Sequence, residues 1–186
     1  MTCVFLSGSR KIGALPDKVI ERLHNMVAND IAILLGDANG ADTAMQTYFH
    51  AMNYTNVTIF HVGKTCRNNV GGWKTHSVVD AVGKSGREFY TQKDKAMAKM
   101  ADLGFVVWDG MSAGSITNVF ELVSLGKKAV VYSQPEHAFF NVTHANEAIS
   151  LLKLCSPALV RTLRKSLGNL NDQSTLQIPP QAQFAF

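Results

Sequence analysis

Three short loops of small and polar residues, each following an apolar run, constrain the fold more than any other feature of the sequence. The loops span residues 7–10, 36–42 and 109–115. Glycine permits backbone conformations that are closed to other residues, and it lets a ligand approach the main chain. Because helical spacing resumes after each loop, free N–H groups at a helix start would point into it. This arrangement suits a phosphate group.

The apolar runs predict five buried strands, at residues 3–6, 31–35, 57–62, 105–108 and 129–132. Apolar residues at helical spacing predict helices between them, at residues 16–28, 41–52, 89–101 and 117–125. This order predicts an open α/β sheet, mostly parallel and five-stranded, with helices on both faces and right-handed crossovers. Ligands of such sheets lie beyond the carboxyl ends of the strands at the switch point, so we expect the three loops to meet there.

The sequence divides into a core and an extension. Residues 1–133 form the predicted sheet domain, and residues 64–88 read as a long basic and glycine-rich loop within it. Long loops inside compact domains are uncommon and often functional, so we expect this one, including Trp73, to lie near the ligand. Residues 134–186 read as one or two helices followed by a tail that docks through Phe184 and Phe186.

Composition narrows the class of protein. The 186 residues carry a net charge of +4, with lysine and arginine scattered rather than massed, so we expect nucleic acid to be an unlikely partner. The three cysteines fit no disulfide framework and no zinc spacing, and the six histidines show no ligand spacing. We therefore expect no metal and no cofactor. The absence of a signal peptide and of a membrane-spanning run predicts a cytoplasmic protein.

The three loops resemble those of a known group. Ser-Gly-Ser-Arg at residues 7–10, Gly-Asp-Ala-Asn-Gly-Ala-Asp at 36–42 and Trp-Asp-Gly-Met-Ser-Ala-Gly-Ser at 108–115 resemble the SLOG superfamily, and within it the YspA-like branch. The superfamily also holds the Lonely Guy phosphoribohydrolases and the DNA-processing protein DprA. Residues 101–132 are also similar to nucleoside 2-deoxyribosyltransferases. The resemblance covers about residues 2–133 and implies a Rossmann-like fold that binds a nucleotide or a nucleotide-derived sugar phosphate.

The resemblance also implies site residues, position by position. Residues of the first loop would border the ligand, those of the second match the glycine-acid loop, and those of the third match the loop that cradles phosphate. Lys93 and Asp94 fall where relatives carry a polar pair. The ligand-binding candidates are Gly8, Ser9, Arg10, Gly36, Asp37, Asn39, Gly40, Asp42, Asp94, Ser112, Gly114, Ser115 and Asn118.

One departure from the family bears on catalysis. The phosphoribohydrolases carry a catalytic glutamate three or four residues after a Gly-Thr pair, whereas Asn118 and Val119 stand at those positions here. Glu121 follows one turn later on the face of Asn118. Cleavage of an N-glycosidic bond needs a carboxylate at the anomeric carbon and an acid for the leaving base. Asp109 and Glu121 are the candidates, although Asp109 could equally cap its own loop.

Two classes of function remain open. The first prediction is a sensor or sequestering protein that binds a nucleotide or nucleotide-derived ligand at the carboxyl rim of the sheet. The alternative is an enzyme that cleaves or exchanges the N-glycosidic bond of a nucleoside or its monophosphate, and a weaker alternative is DNA binding in the manner of DprA. Relatives are usually oligomeric, and the apolar late helices suit an interface, so we expect a homo-oligomer.

Overall fold

A computed structural model describes residues 1–78 and 86–167, except for the side chain of Arg87. Seven strands form a single sheet in the order β4-β3-β2-β1-β5-β6-β7. The strands are β1 Cys3–Gly8, β2 Ala32–Gly36, β3 Val57–Val62, β4 Lys74–Val78, β5 Leu103–Trp108, β6 Lys128–Ser133 and β7 Ala138–Val142. All neighbouring strands run parallel except β6 and β7, which pair antiparallel. The fold is α/β and mostly parallel, as predicted.

The helices lie on both faces of this sheet. They are α1 Asp17–Ala28, α2 Ala41–Ala51, α3 Gly86–Met100, α4 Ala113–Ser124, α5 Ala145–Leu151 and α6 Pro157–Leu167, with a 3₁₀ turn at Leu152–Leu154. Helices α1 and α2 pack on one face and α3 to α6 on the other. Because strand side chains alternate between faces, Phe5 joins the second core while Val4 and Leu6 join the first.

The prediction of five strands is wrong, because β4 and β7 are absent from it. Strand β4 lies within the stretch predicted as a loop, and its first four residues are exposed at the edge of the sheet. Strand β7 follows a short turn after β6 and forms the opposite edge. Strand β4 has no apolar run to reveal it, since only buried faces require apolar side chains.

The path of the chain fixes where a ligand can bind. From β1 the strands proceed outward to β4, and the chain then returns through α3 to β5 on the other side of β1. The loops after β1 and β5 therefore diverge to opposite faces and leave a crevice between them, which is the switch point of the sheet. In residues 1–78 and 86–167, no helix is long and apolar enough to span a bilayer.

Two predictions about the less regular stretches have different outcomes. Trp73 lies at the amino end of β4, where its indole N–H donates to the carbonyl of Tyr54 across 2.8 Å. The amino ends of the strands lie on the side of the sheet opposite the carboxyl rim. The expectation that Trp73 lies near a ligand at that rim is therefore wrong. The predicted docking of Phe184 and Phe186 falls outside the described residues, and the division of the chain at residue 133 stays a prediction.

Candidate functional site

A cleft of about 600 Å³ opens between α3 and α4 above the carboxyl ends of β1 and β5. The loops after β1, β2 and β5 all contribute to its wall, so the predicted meeting of the three loops is what the structure shows. Nine of the predicted ligand and catalytic residues line it: Gly8, Arg10, Asp42, Asp94, Asp109, Ser112, Gly114, Ser115 and Asn118. Ser9, Gly36, Asp37, Asn39, Gly40 and Glu121 do not line it.

Ser9 joins the two loops at the switch point from below the cleft. Its hydroxyl is fully buried, donates to Asp109 Oδ1 across 2.9 Å, and accepts from the Asp109 backbone N–H across 3.1 Å. The Ser115 hydroxyl oxygen lies 3.1 Å from the Ser9 hydroxyl oxygen. Asp109 Oδ1 also accepts from the N–H groups of Met111 and Ser112, at 2.9 and 2.7 Å. The geometry thus gives Asp109 a role in holding the loop before α4.

The start of α4 faces the cleft with its N–H groups free of a side-chain cap. The N-cap residue is Ser112, and its hydroxyl makes no capping hydrogen bond. Ala113, Gly114 and Ser115 form the first turn and all line the cleft. A Cβ added at Gly114 would meet only the Ser112 hydroxyl, at 3.9 Å. Since the fold does not require a glycine there, the space beside the helix start is open to an anion.

Gly8 and Gly40 have packing roles instead. A Cβ at Gly8 would lie 2.5 Å from the Ala41 Cβ and 2.8 Å from the Val107 carbonyl oxygen. Gly40 has a φ of +84°, and a Cβ there would overlap the backbone of Arg10. Both glycines let the start of α2 approach the loop after β1, so neither requires a ligand to explain it.

A buried ion-pair cluster forms the wall of the cleft toward α2. Lys93 Nζ lies 2.8 Å from Asp94 Oδ1 and 3.7 Å from Asp42 Oδ2, and the Lys93 and Asp42 side chains are almost fully buried. A Cβ on Gly36 would overlap both the Lys93 ammonium and the Asp42 carboxylate. Gly36 therefore makes room for this cluster. Lys93 entered the sequence analysis only as one member of a polar pair, because its partner at residue 42 is invisible to sequence spacing.

The electrostatics of this cluster are uneven. Burial raises the pKa of Asp42 to about 6, although the Lys93 ammonium opposes the shift. Burial lowers the pKa of Lys93, but the carboxylates of Asp94 and Asp42 outweigh it and hold that pKa above its usual value. Asp94 lies nearer the Lys93 ammonium than Asp42 does. The ammonium therefore compensates the burial of the Asp42 carboxylate only in part.

A second buried carboxylate, Asp37, fixes the segment that follows β3. Arg67 donates to Asp37 from its backbone N–H, from Nε at 2.9 Å and from Nη2. Burial alone would raise the pKa of Asp37, but the hydrogen bonds from Arg67 hold it below its usual value. Asn68 Nδ2 donates to the Asp37 carbonyl at 2.8 Å and to Asn39 Oδ1 at 2.9 Å. The side chains of Asp37 and Asn39 thus form hydrogen bonds within the protein and do not line the cleft.

Arg67 and Arg10 meet at the mouth of the cleft over one aromatic ring. Their guanidinium carbons lie 4.5 and 5.8 Å from the centre of the Tyr90 ring, and Tyr90 lines the cleft. Arg10 and the neighbouring Lys11 are exposed. The predicted loop at residues 64–88 therefore does reach the rim, through Arg67 rather than through Trp73. Arg67 and Tyr90 were absent from the predicted site, because only the fold brings them beside Arg10.

Several buried polar groups near the site have no hydrogen-bond partner among the described residues. They include the hydroxyl of Ser7 and Oε2 of Glu121. Ser7 lines the cleft and is 5% exposed, whereas Glu121 is 9% exposed and lies outside the lining. In residues 1–78 and 86–167, no group of three or more His, Cys, Asp or Glu side chains is placed to hold a metal ion.

Comparison with known proteins identifies the fold but no family. No protein-family model matches the sequence, and no curated protein matches it significantly. A solved structure similar to this chain is that of DNA processing protein A from Helicobacter pylori, described for its unique single-stranded DNA binding mode. The TM-score is 0.58 at 12% sequence identity, over 90% of this chain and 81% of that one. At this identity the likeness establishes a shared fold.

This neighbour corrects one prediction. At 12% identity the likeness concerns the fold, and the resemblance of the three loops to the SLOG superfamily stays a prediction. The prediction that nucleic acid is an unlikely partner rested on the mild and scattered charge of the chain. That prediction is contradicted by the neighbour, a protein of this fold that is described as binding single-stranded DNA.

Proposed function

We propose that this chain binds a nucleotide through its phosphate in the cleft between α3 and α4, without turning it over. The observation that carries the proposal is the uncapped first turn of α4, which faces a cleft of about 600 Å³ beside the open space at Gly114. Free N–H groups and the helix dipole favour an anion there. The cleft is also within the usual size range of a small-ligand site.

Two further features support this proposal. Arg10 and Lys11 lie at the cleft with exposed side chains, and Arg10 has no carboxylate partner among the described residues. A guanidinium fork suits a phosphate. The Ser7 hydroxyl is buried in the lining, and no residue that the structure describes bonds it, which is costly unless a ligand or water completes its hydrogen bonds.

Titration with nucleoside 5′-monophosphates, followed by calorimetry, tests the proposal. Gly114→Leu fills the space beside the helix start, so its affinity should fall by about ten-fold or more, the equivalent of about 1.4 kcal/mol or more. Gly13→Leu is the matched control, because a Cβ at Gly13 would also meet nothing and this glycine lies outside the lining. Equal affinity of the two variants, or no binding by the wild type, would overturn the phosphate site.

Single-strand binding is a second candidate, favoured by the Arg10–Tyr90–Arg67 cluster at the mouth and by the shared fold with DNA processing protein A. Aromatic rings and arginines are the usual platform for single-stranded nucleic acid. Fluorescence anisotropy with oligo(dT) at several salt concentrations would measure it. Tyr90→Ala should then weaken binding, whereas Tyr48→Ala, an aromatic residue outside the cleft, should not. Binding of mononucleotides alone would reject this candidate.

The glycosidase alternative has less support from the geometry. Asp109 Oδ1 is engaged by three donors, and Glu121 does not line the cleft. Chromatography of the monophosphates after incubation would detect any free base. Base release that disappears in Glu121→Gln would overturn binding without turnover.

We also propose that the chain is a YspA-like member of the SLOG superfamily and acts as a homo-oligomer in the cytoplasm. The loops at residues 7–10, 36–42 and 108–115 support the first statement. Light scattering on the eluting protein would test the oligomeric state.

A further inference from the structure

The lining of the cleft holds two buried polar side chains and one carboxylate oxygen that bond no described residue. The Ser7 hydroxyl is buried and has no hydrogen-bond partner among the described residues. Asn118 is 8% exposed and lies in the lining, and its side-chain amide bonds no described residue. Asp94 pairs with Lys93 through Oδ1, and no described donor reaches its other carboxylate oxygen. All three residues lie in the lining, on β1, α4 and α3 respectively. They surround one space from three elements of the fold.

This arrangement contrasts with Ser9, two residues further along the chain. The Ser9 hydroxyl is also buried but donates and accepts within the fold. An unpaired buried hydroxyl is unfavourable, and a polar group of a ligand would remove that cost. The hydroxyl of Ser7 and the amide of Asn118 therefore mark a place in the cleft that suits a polar ligand.

The position of Asn118 relative to the helix start limits which part of a ligand reaches it. Asn118 lies four residues after Gly114, which is about 6 Å along the helix axis. In a nucleotide whose phosphate sits at Gly114 and Ser115, the sugar is the group joined directly to that phosphate. The sugar therefore reaches this depth before the base does.

The chemistry of the three groups also favours a sugar. A carboxylate is negatively charged and only accepts hydrogen bonds, so Asp94 repels a second phosphate and accepts a hydrogen bond from a hydroxyl group. One hydroxyl donates only once, and a neighbouring hydroxyl supplies a further donor for Ser7 or for the carbonyl oxygen of Asn118. Two adjacent hydroxyls match the unpaired groups better than one.

We infer that the inner end of the cleft, formed by Ser7, Asp94 and Asn118, binds the vicinal hydroxyls of ribose and so selects ribonucleotides over 2′-deoxyribonucleotides. This inference rests on the proposed phosphate site at the start of α4. It makes Ser7 and Asp94 specificity residues, with Lys93 holding the Asp94 carboxylate in place. Binding of a DNA strand at the mouth of the cleft would show no such dependence on the 2′-hydroxyl.

The test compares the four ribonucleoside 5′-monophosphates with their 2′-deoxy counterparts by calorimetry. The ribose member of a bound pair should bind about ten-fold or more tightly, since a hydrogen bond to a charged group is worth roughly 1.5–3 kcal/mol. Ser7→Ala and Asp94→Asn should each bring that ratio toward one, because each removes a partner of the ribose hydroxyls. Because the Ser7 hydroxyl has no partner among residues 1–78 and 86–167, Ser7→Ala should fold as well as the wild type.

Ser133→Ala is the matched control. Ser133 is another buried serine whose hydroxyl is unpaired among the described residues, but it lies on β6 outside the cleft lining. Its ribose-to-deoxyribose ratio should equal that of the wild type. A ratio that stays unchanged in both Ser7→Ala and Asp94→Asn would overturn this assignment.

The two proposals fail in different ways. Equal wild-type affinities for ribose and deoxyribose members, with loss of both in Gly114→Leu, would overturn the ribose pocket and leave the phosphate site in place. Failure of all eight monophosphates to bind the wild type would overturn the phosphate site and the ribose pocket with it.

Discussion

The Ser9 hydroxyl and Asp109 Oδ1 lie 2.9 Å apart, although 100 positions separate the two residues in the chain. This hydrogen bond joins the ends of β1 and β5, the two strands between which the cleft opens. The same carboxylate oxygen receives the N–H groups of Met111 and Ser112. Asp109 therefore sets the position of the loop that leads into α4.

Asp109→Ala should lower the free energy of unfolding by about 2–4 kcal/mol, because it removes an acceptor that serves three donors. Urea denaturation would measure the loss. Ser9→Ala should cost less, since the two N–H groups of the loop keep their acceptor. Asp109→Ala with wild-type stability would contradict this structural role.

Gly8 and Gly114 should respond in opposite ways to alanine. Gly8→Ala places a Cβ 2.5 Å from the Ala41 Cβ and should destabilise by about 1–3 kcal/mol through overpacking. Gly114→Ala meets only the Ser112 hydroxyl at 3.9 Å, so its stability should equal or exceed that of the wild type, by up to about 1 kcal/mol. Thermal unfolding of the two variants side by side checks the difference.

Lys93→Met should destabilise the protein by about 3–5 kcal/mol, because it leaves the buried Asp42 and the half-buried Asp94 without their shared cation. Lys95→Met, at an exposed position two residues further along α3, is the control. Chemical denaturation at pH 7 provides the measurement. Similar stability of the two variants would show that the Lys93 ammonium does not stabilise the carboxylates of Asp42 and Asp94.

The raised pKa of Asp42 predicts an unusual pH dependence of stability. A carboxyl with a pKa of about 6 in the folded state and about 4 in the unfolded state keeps its proton longer when folded. The free energy of unfolding should therefore fall as pH rises from about 4 to 6, by on the order of 1–3 kcal/mol. Asp42→Asn removes this contribution, so the difference in stability between variant and wild type should change across that window. A constant difference from pH 4 to 7 would refute the shift.

Asp37→Asn should release the segment at residues 64–70 from the rim. Arg67 would lose a charge-assisted partner worth roughly 1.5–3 kcal/mol, and local opening should become about ten-fold or more frequent. Trypsin cleavage after Arg67 measures that opening. Asp30→Asn is the control, because the Asp30 carboxylate lies near the amino end of β2, far from Arg67. This variant should leave the cleavage rate unchanged.

The sequence predicts the strands whose both faces are buried, because those strands must be apolar throughout. Phe105 to Trp108, for example, are all buried, and their run is plain in the sequence. Strand β4 reads Lys-Thr-His-Ser-Val and exposes its first four residues, so nothing in its composition distinguishes it from a loop. The start of α4 was also missed, since Ala113, Gly114 and Ser115 are small residues that suit a loop as well as a helix.

The site could be predicted only in part. The three loops announce themselves by their glycines and polar residues, and they do meet in one cleft. Which of their side chains face that cleft depends on pairings between distant residues. Asp37 turns to Arg67 and Asp42 turns to Lys93, and neither partner can be assigned from spacing along the chain. Ser7 belongs to the first loop but was not among the candidate site residues, because a serine that ends an apolar strand carries no signal of its own.

Gly36 lies so close to the Lys93 ammonium that the effect of a substitution at either position depends on the residue at the other. Any side chain at residue 36 must displace both that ammonium and the Asp42 carboxylate beside it. The effect of a substitution at position 36 therefore depends on the residues at positions 42 and 93, so the effects of changes at these positions do not add. The glycine of β2 and the lysine of α3 should therefore be substituted together when the tolerance of either position is measured.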